Sequence, residues 1–148
     1  MRRRDLLAAS AAFVVTLTLP RVALARPSLA DAIHGFTGGA PINAGKVRLA
    51  IPPLVENGNA VGVKVTVESP VTEAEHVRRI ALFNDKNPQA DVAVFRLGPR
   101  SGRAEVSTRI RLATSQTIAA VAELSDGSFW SSEAEVIVTL AACIEDLS

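Results

Sequence analysis

Apolar residues recur along the chain in two different periods, and the change falls near residue 45. Leu29, Ala32, Ile33 and Phe36 stand at i, i+3, i+4 and i+7, the spacing of one helical face. Ser28 precedes this run, where its hydroxyl can cap the amino end, and Asp31 occupies the capping-box position three residues on. Gly38-Gly39 ends the pattern. The spacing predicts a short amphipathic helix over about 28–37. From Lys46 the period becomes two. Val47, Leu49 and Ile51 alternate with Lys46, Arg48 and Ala50, and Val61, Val63, Val65 and Val67 alternate with Gly62, Lys64, Thr66 and Glu68. Strand side chains point to opposite faces in turn, so each run reads as a strand with one buried face.

Asn57-Gly58 lies between these two runs and is a dipeptide favoured in tight hairpins. Further strands are expected at 77–83 and 91–97, with Asn84-Asp85-Lys86-Asn87-Pro88 as the turn between them. Val106, Thr108, Ile110 and Leu112 alternate with Glu105, Ser107, Arg109 and Arg111. A run at 116–124, the turn Asp126-Gly127 and a last strand of about 129–141 follow. Roughly seven short strands separated by regular turn signals predict an all-β fold. The expected architecture is an immunoglobulin-like antiparallel β-sandwich with a short amino-terminal helix. Residues 26–45 then hold the helix and a Gly-rich connector, 46–140 the sandwich, and 141–148 a carboxy-terminal arm.

Residues 1–25 follow a different pattern. Arg2-Arg3-Arg4 precede an apolar run from Leu6 to Leu19, Pro20 breaks it, and Ala23-Leu24-Ala25 places small residues where a signal peptidase reads. Arg3-Arg4 followed by Leu6-Leu7 fits the twin-arginine export pattern, so the expected destination is the periplasm, with no membrane attachment after cleavage. Cleavage would change the charge. The whole chain carries a net +1, whereas residues 26–148 hold 12 Lys/Arg against 14 Asp/Glu, a net −2.

Composition removes several functions. A chain of 148 residues supports one core. A single Cys excludes an intramolecular disulfide and, with two His, a Cys/His zinc cluster. Aromatic residues at 4% and a charge near zero argue against a nucleic-acid binder. No Gly-rich phosphate loop followed by Lys is present. His34, His76, Glu73 and Glu75 have no partner at a catalytic or metal-binding spacing and read as surface or structural residues. Arg100, Arg103, Arg109 and Arg111 form the densest basic stretch, either a solvated strand face or a surface for an anion or partner. No catalytic residue, cofactor site or metal site is expected. The lone Cys143 follows the last strand and admits two readings, a small buried hydrophobe or an exposed thiol open to covalent loading.

Four segments match a known family in order and spacing. They are Val55-Glu56-Asn57-Gly58-Asn59, Lys86-Asn87-Pro88, the stretch from Gly102 to Ala113, and Ala122-Glu123-Leu124-Ser125-Asp126-Gly127-Ser128-Phe129-Trp130. Together they resemble SoxY, the sulfur-carrier subunit of the bacterial periplasmic thiosulfate-oxidising system, across about residues 28–143. The resemblance implies an immunoglobulin-like sandwich paired with a small β-protein, SoxZ. It implies a non-enzymatic carrier whose arm cysteine takes up thiosulfate through a haem enzyme and meets hydrolase and dehydrogenase partners in turn. Cys143 matches the carrier cysteine in position, which makes it the expected covalent attachment point. The family's arm reads Gly-Gly-Cys-Gly-Gly, whereas this chain reads Ala141-Ala142-Cys143-Ile144-Glu145. Alanine lacks glycine's backbone freedom, Ile144 is stiff beside the sulfur, and Glu145 and Asp146 add negative charge near a group that must become thiolate. The alternative is therefore a SoxY-like paralogue inactive as a carrier, acting as a partner-binding subunit.

Overall fold

The structure, a computed structural model, describes residues 25–140. The expected signal segment, up to residue 24, and the arm at 141–148 lie outside the described residues. Among the described residues one helix, α1 (Leu29–Thr37), precedes nine strands. These are β1 (Ile42–Ala44), β2 (Val47–Ala50), β3 (Leu54–Asn57), β4 (Val61–Val67), β5 (Val77–Asn84), β6 (Asp91–Arg96), β7 (Glu105–Ile110), β8 (Gln116–Leu124) and β9 (Phe129–Leu140). The strands form two sheets. The larger runs β1-β9-β8-β5-β6, with β3 also beside β9, and the smaller runs β2-β4-β7. The all-β sandwich expected from the sequence is thus the observed fold.

The helix begins as its sequence dictates. The Ser28 side chain accepts from the Asp31 N–H at 3.1 Å, and the Asp31 carboxylate accepts from the Ser28 N–H. Gly38 closes the helix in the left-handed region at φ 65°, where a side chain is unfavourable.

The inner faces of the sheets make the core. Val61, Val63, Val65 and Val67 from β4 meet Ile80 and Leu82 from β5 and Ile118, Ala120 and Ala122 from β8. Strands β5 and β8 are central and are covered on both faces, so they read as near-continuous apolar runs rather than alternating ones. Their outer faces supply Ala81, Phe83, Ala119 and Val121, which pack with Phe129 under Leu29, Ala32, Ile33 and Phe36 of α1. The Phe36 ring meets Phe83 and Phe129 edge-on at 5.8 and 6.0 Å. The molecule is therefore three layers deep: helix, large sheet, small sheet.

Two details differ from the sequence reading. The strands number nine rather than about seven, and the two additional ones, β1 and β3, pair in parallel with β9. Asn57-Gly58 does not close a hairpin between β2 and β4. These strands do pair antiparallel, but Pro52-Pro53 ends β2 and the chain crosses to the other sheet as β3 before returning to β4. Proline lacks the N–H that would continue the ladder, which is why the run stops there.

Candidate functional site at the root of the arm

Strand β9 is the longest among the described residues, and its last residue, Leu140, is the last one described before the expected arm. Its outer edge is shared between two short strands. β1 takes the beginning, Ile42 opposite Phe129, and β3 takes the end, Leu54 opposite Ile137 and Asn57 opposite Leu140. The Ile137 N–H donates to the Pro53 carbonyl at 2.8 Å. The Thr139 hydroxyl donates to the Glu56 carbonyl at 3.3 Å, and the Val138 N–H donates to the Ser115 hydroxyl at 2.8 Å. The Gly58 N–H reaches the Leu140 carbonyl at 3.4 Å, while the Gly58 carbonyl accepts from Leu112 at 2.8 Å. The last described residue before the arm is thus tied to the β3–β4 turn, and that turn is tied to the end of β7.

The β5–β6 turn braces the same pole. Asn87 donates from its side-chain amide to the Arg111 carbonyl at 2.7 Å. Its side-chain oxygen accepts from the Ala113 N–H at 2.9 Å and from Gln116 at 2.8 Å. The Arg26 guanidinium donates to the Asn84 carbonyl at 2.7 Å and the Asp85 carbonyl at 3.0 Å. Arg26 and Leu140 are therefore held at the same end of the sandwich.

The surface around the root combines apolar and acidic groups. Glu133, Glu135 and Ile137 alternate with inward residues along β9 and share its outer face, with Leu54 beside Ile137. Leu54 is 59% exposed and Ile137 57%. Among the described residues no lysine or arginine pairs with Glu56, Glu133 or Glu135. The carboxylates held low lie elsewhere. Hydrogen bonds from Ser28 hold Asp31 below the ordinary carboxylate range, those from Ser128 do the same for Asp126, and a bond from Lys64 for Glu105.

The residues singled out in the sequence separate in space. Cys143 lies outside the described residues, three positions beyond Leu140. Arg111 flanks the arm pole, beside Asn87 and Asp91. Arg109 is exposed one residue before the end of β7, opposite Gly62, and Arg103 sits at the opposite pole near Pro70. The arginine stretch is therefore not one patch. His76 keeps its ring Nδ1 3.0 Å from the Thr72 carbonyl, and His34 faces Gly39. Glu73 and Glu75 are exposed in the same loop as Thr72. Among the described residues no group of three or more His, Cys, Asp or Glu could hold a metal ion. No described helix is long and apolar enough to cross a membrane. The outer-face residues Leu54, Glu133, Glu135 and Ile137 have no motif. Glu133, Glu135 and Ile137 have one signal in the sequence, the alternation within the expected last strand, and Leu54 has none.

The sulfur oxidation protein SoxY family matches residues 33–143. The chain belongs to the SoxY family. The matched stretch takes in the sandwich, most of α1 and the arm as far as Cys143. No curated protein matches the chain in sequence. Among solved structures it is similar to a superoxide reductase (neelaredoxin) from Ignicoccus hospitalis, with TM-score 0.57 and 19% identity over 64% of this chain and 80% of that one. A superoxide reductase from Nanoarchaeum equitans gives TM-score 0.55 and 12% identity over 65% and 100%. The reduced neelaredoxin from Archaeoglobus fulgidus gives 0.53 and 18% over 65% and 98%. At these identities the likeness is one of fold. The SoxY segments recognised in the sequence have structural duties here. Val55–Asn59 forms the edge and turn beside Leu140, Lys86-Asn87-Pro88 is the brace of the arm pole, and Asp126–Trp130 is the β8–β9 turn. In that last turn Ser128 accepts from the Trp130 indole N–H at 3.0 Å.

Proposed function

We propose that this SoxY-family protein is a periplasmic carrier that holds thiosulfate-derived sulfur covalently on Cys143 and catalyses nothing itself. The observation that carries the reading is the family match, which extends through Cys143, together with the hydrogen-bonded root from which the arm departs. Cys143 is three residues past Leu140, so its reach beyond the sandwich is at most about 10 Å. In the loading step the Cys143 thiolate and the outer sulfur of thiosulfate form an S–S bond, and a haem partner accepts the two electrons released. The product is Cys–S–S–SO₃⁻. Water then displaces the sulfonate as sulfate, leaving Cys–S–SH, and the hydrolase partner supplies that step. A SoxZ-like β-subunit completes the carrier, and export is by the twin-arginine route.

Intact-mass measurement on protein purified from periplasm of thiosulfate-grown cells tests this. The expected result is an adduct on Cys143 that disappears with reductant, and an unmodified mass under the same growth overturns it. One observation favours a second reading, a carrier-inactive paralogue. Ile144-Glu145-Asp146 replace the flexible glycines and bring negative charge beside a thiolate. In that case Cys143→Ser leaves thiosulfate oxidation intact while deletion of the protein impairs it.

A further inference from the structure

Strand β6 ends the large sheet on the side away from β9. At the other side β1 and β3 cover the outer edge of β9, whereas among the described residues β6 pairs with β5 alone. The Leu97 N–H, just past β6, donates to the Arg78 carbonyl at 2.9 Å. Hydrogen-bonded positions alternate along an antiparallel ladder, so Phe95 and Ala93 also turn toward β5. Val94 and Arg96 therefore turn their N–H and C=O groups to the free side. An open edge of this kind is a template for another strand.

The side chains of β6 say which strand fits. Val94, in the middle, is 50% exposed and lines a groove beside Phe36 of α1. Asp91 lines the same groove, carried to that outer face by the bulge opposite Leu82 and Phe83. Arg96 stands opposite Arg79, whose guanidinium lies over the Phe36 ring. Glu123 serves Arg78 and Arg79, so Arg96 faces a like charge across the ladder. Among the described residues neither Asp91 nor Arg96 has an ion-pair partner. The strand thus carries an unpaired acid at its start, an exposed aliphatic in its middle and an unpaired base at its end. Its complement is the same strand reversed.

We propose that β6 pairs antiparallel with β6 of a second copy, about a two-fold axis at Val94, and joins two large sheets into one. Opposed residues of an antiparallel pair share a face. With Val94 on the axis, Arg96 of each copy lies beside Val92 and Asp91 of the other. The backbone agrees, because both copies of Val94 present outward N–H and C=O groups and can exchange two hydrogen bonds there. Closed two-fold dimers need a surface that complements itself. The free edge of the small sheet, β7, lacks one. Its Glu105 is already paired with Lys64 at 3.1 Å, and Ser107 stands where an apolar centre would be needed. The pairing is independent of the carrier reading and leaves the root of the arm uncovered, since β5 and β8 separate β9 from the seam.

Sedimentation velocity over a range of concentrations tests this on residues 26–148, with Cys143→Ser in every sample so that no disulfide links the copies. A dimer that dissociates on dilution is expected. Val94→Pro removes the outward N–H without touching a bond to β5, and should raise Kd about a hundredfold. Asp91→Arg and Arg96→Glu should each raise it about tenfold, because each sets like charges at both ends of the seam. Mixing these two variants restores pairing, since one chain then brings two bases and the other two acids. Arg109→Glu, on β7, leaves Kd unchanged. The mixing result does not depend on the fold of Val94→Pro, and Trp130 fluorescence checks that each variant is folded. A monomer at every concentration, a dimer indifferent to Val94→Pro, or a mixture no tighter than its components overturns the proposal. So does loss of the SoxZ-like subunit from the Asp91→Arg and Arg96→Glu variants, which would assign β6 to that subunit.

Discussion

Phe129 and Ile137 are eight residues apart on one strand and point to the same side of one sheet, yet one is 6% exposed and the other 57%. The strand does not differ between them. The cover does. Phe129 lies beneath α1, edge-on to Phe36, in a cluster with Phe83, Ala119 and Val121. Ile137 lies past the end of the helix, with only Leu54 as an apolar neighbour across the ladder. The covered half is a second small core and contributes stability. The bare half contributes little to stability. One outer face is thus divided in two by the length of a nine-residue helix.

The sharpest way to break this contrast is to remove the covered side. Phe83 is 2% exposed and central beneath α1, so Phe83→Ala should cost about 3–5 kcal/mol, the cavity being closed only in part by helix movement. Urea denaturation followed by Trp130 fluorescence measures it. A loss under about 1 kcal/mol would mean that the helix does not hold this face. The next effect concerns the arm pole. Asn87→Ala removes the acceptor for the Ala113 N–H and Gln116 and the donor to Arg111. Groups left partly buried without partners put the expected loss at about 2 kcal/mol. A loss of that size separates a brace from a merely polar turn.

Much of this division was legible before the structure. The i, i+3, i+4, i+7 spacing from Leu29 located the helix, and Ser28 with Asp31 located its start within a residue. The valines at 61, 63, 65 and 67 located a strand with one buried face. What was not legible depends on contacts distant in sequence. Strands β1 and β3 are three and four residues long, too short for a period to register, and their parallel pairing with β9 joins residues more than eighty positions apart. Asn57-Gly58 carried a true turn signal, but local chemistry does not say which strand the turn serves. The candidate site divides in the same way. Cys143 is singled out as a candidate by its uniqueness and its place after the expected last strand, and it lies outside the described residues. The exposed Leu54–Ile137 pair is not singled out, because Ile in an alternating strand reads as core until its neighbours are known.

A smaller effect tests the seating of the helix. Ser28→Ala removes the cap, and caps of this type contribute about 1 kcal/mol. The capping box also depends on pH. Asp31 has its folded-state carboxyl held below the ordinary range by Ser28. A depressed carboxylate adds stability above its unfolded pKa, near 3.9, and loses it as pH falls through the lower folded value. The gap between wild type and Ser28→Ala, read by thermal denaturation, should therefore be full at pH 7 and narrow below about pH 4. A gap that stays constant across that window would assign the cap to the serine hydroxyl alone.

The smallest change is expected where the contrast makes its strongest claim. Ile137→Ser and Leu54→Ser remove apolar surface that is already more than half in water, so each should shift stability by no more than about 0.5 kcal/mol. Additivity makes the test stricter. Phe83 pairs across β8 to the level of Glu133 on β9, and Ile137 is four strand residues further on, about 13 Å away. At that distance, with no shared partner, the loss from Phe83→Ala combined with Ile137→Ser should equal the sum of the single losses within about 0.5 kcal/mol. A larger coupling would mean that the covered and bare halves form one packing unit, and the contrast between them would fail with it.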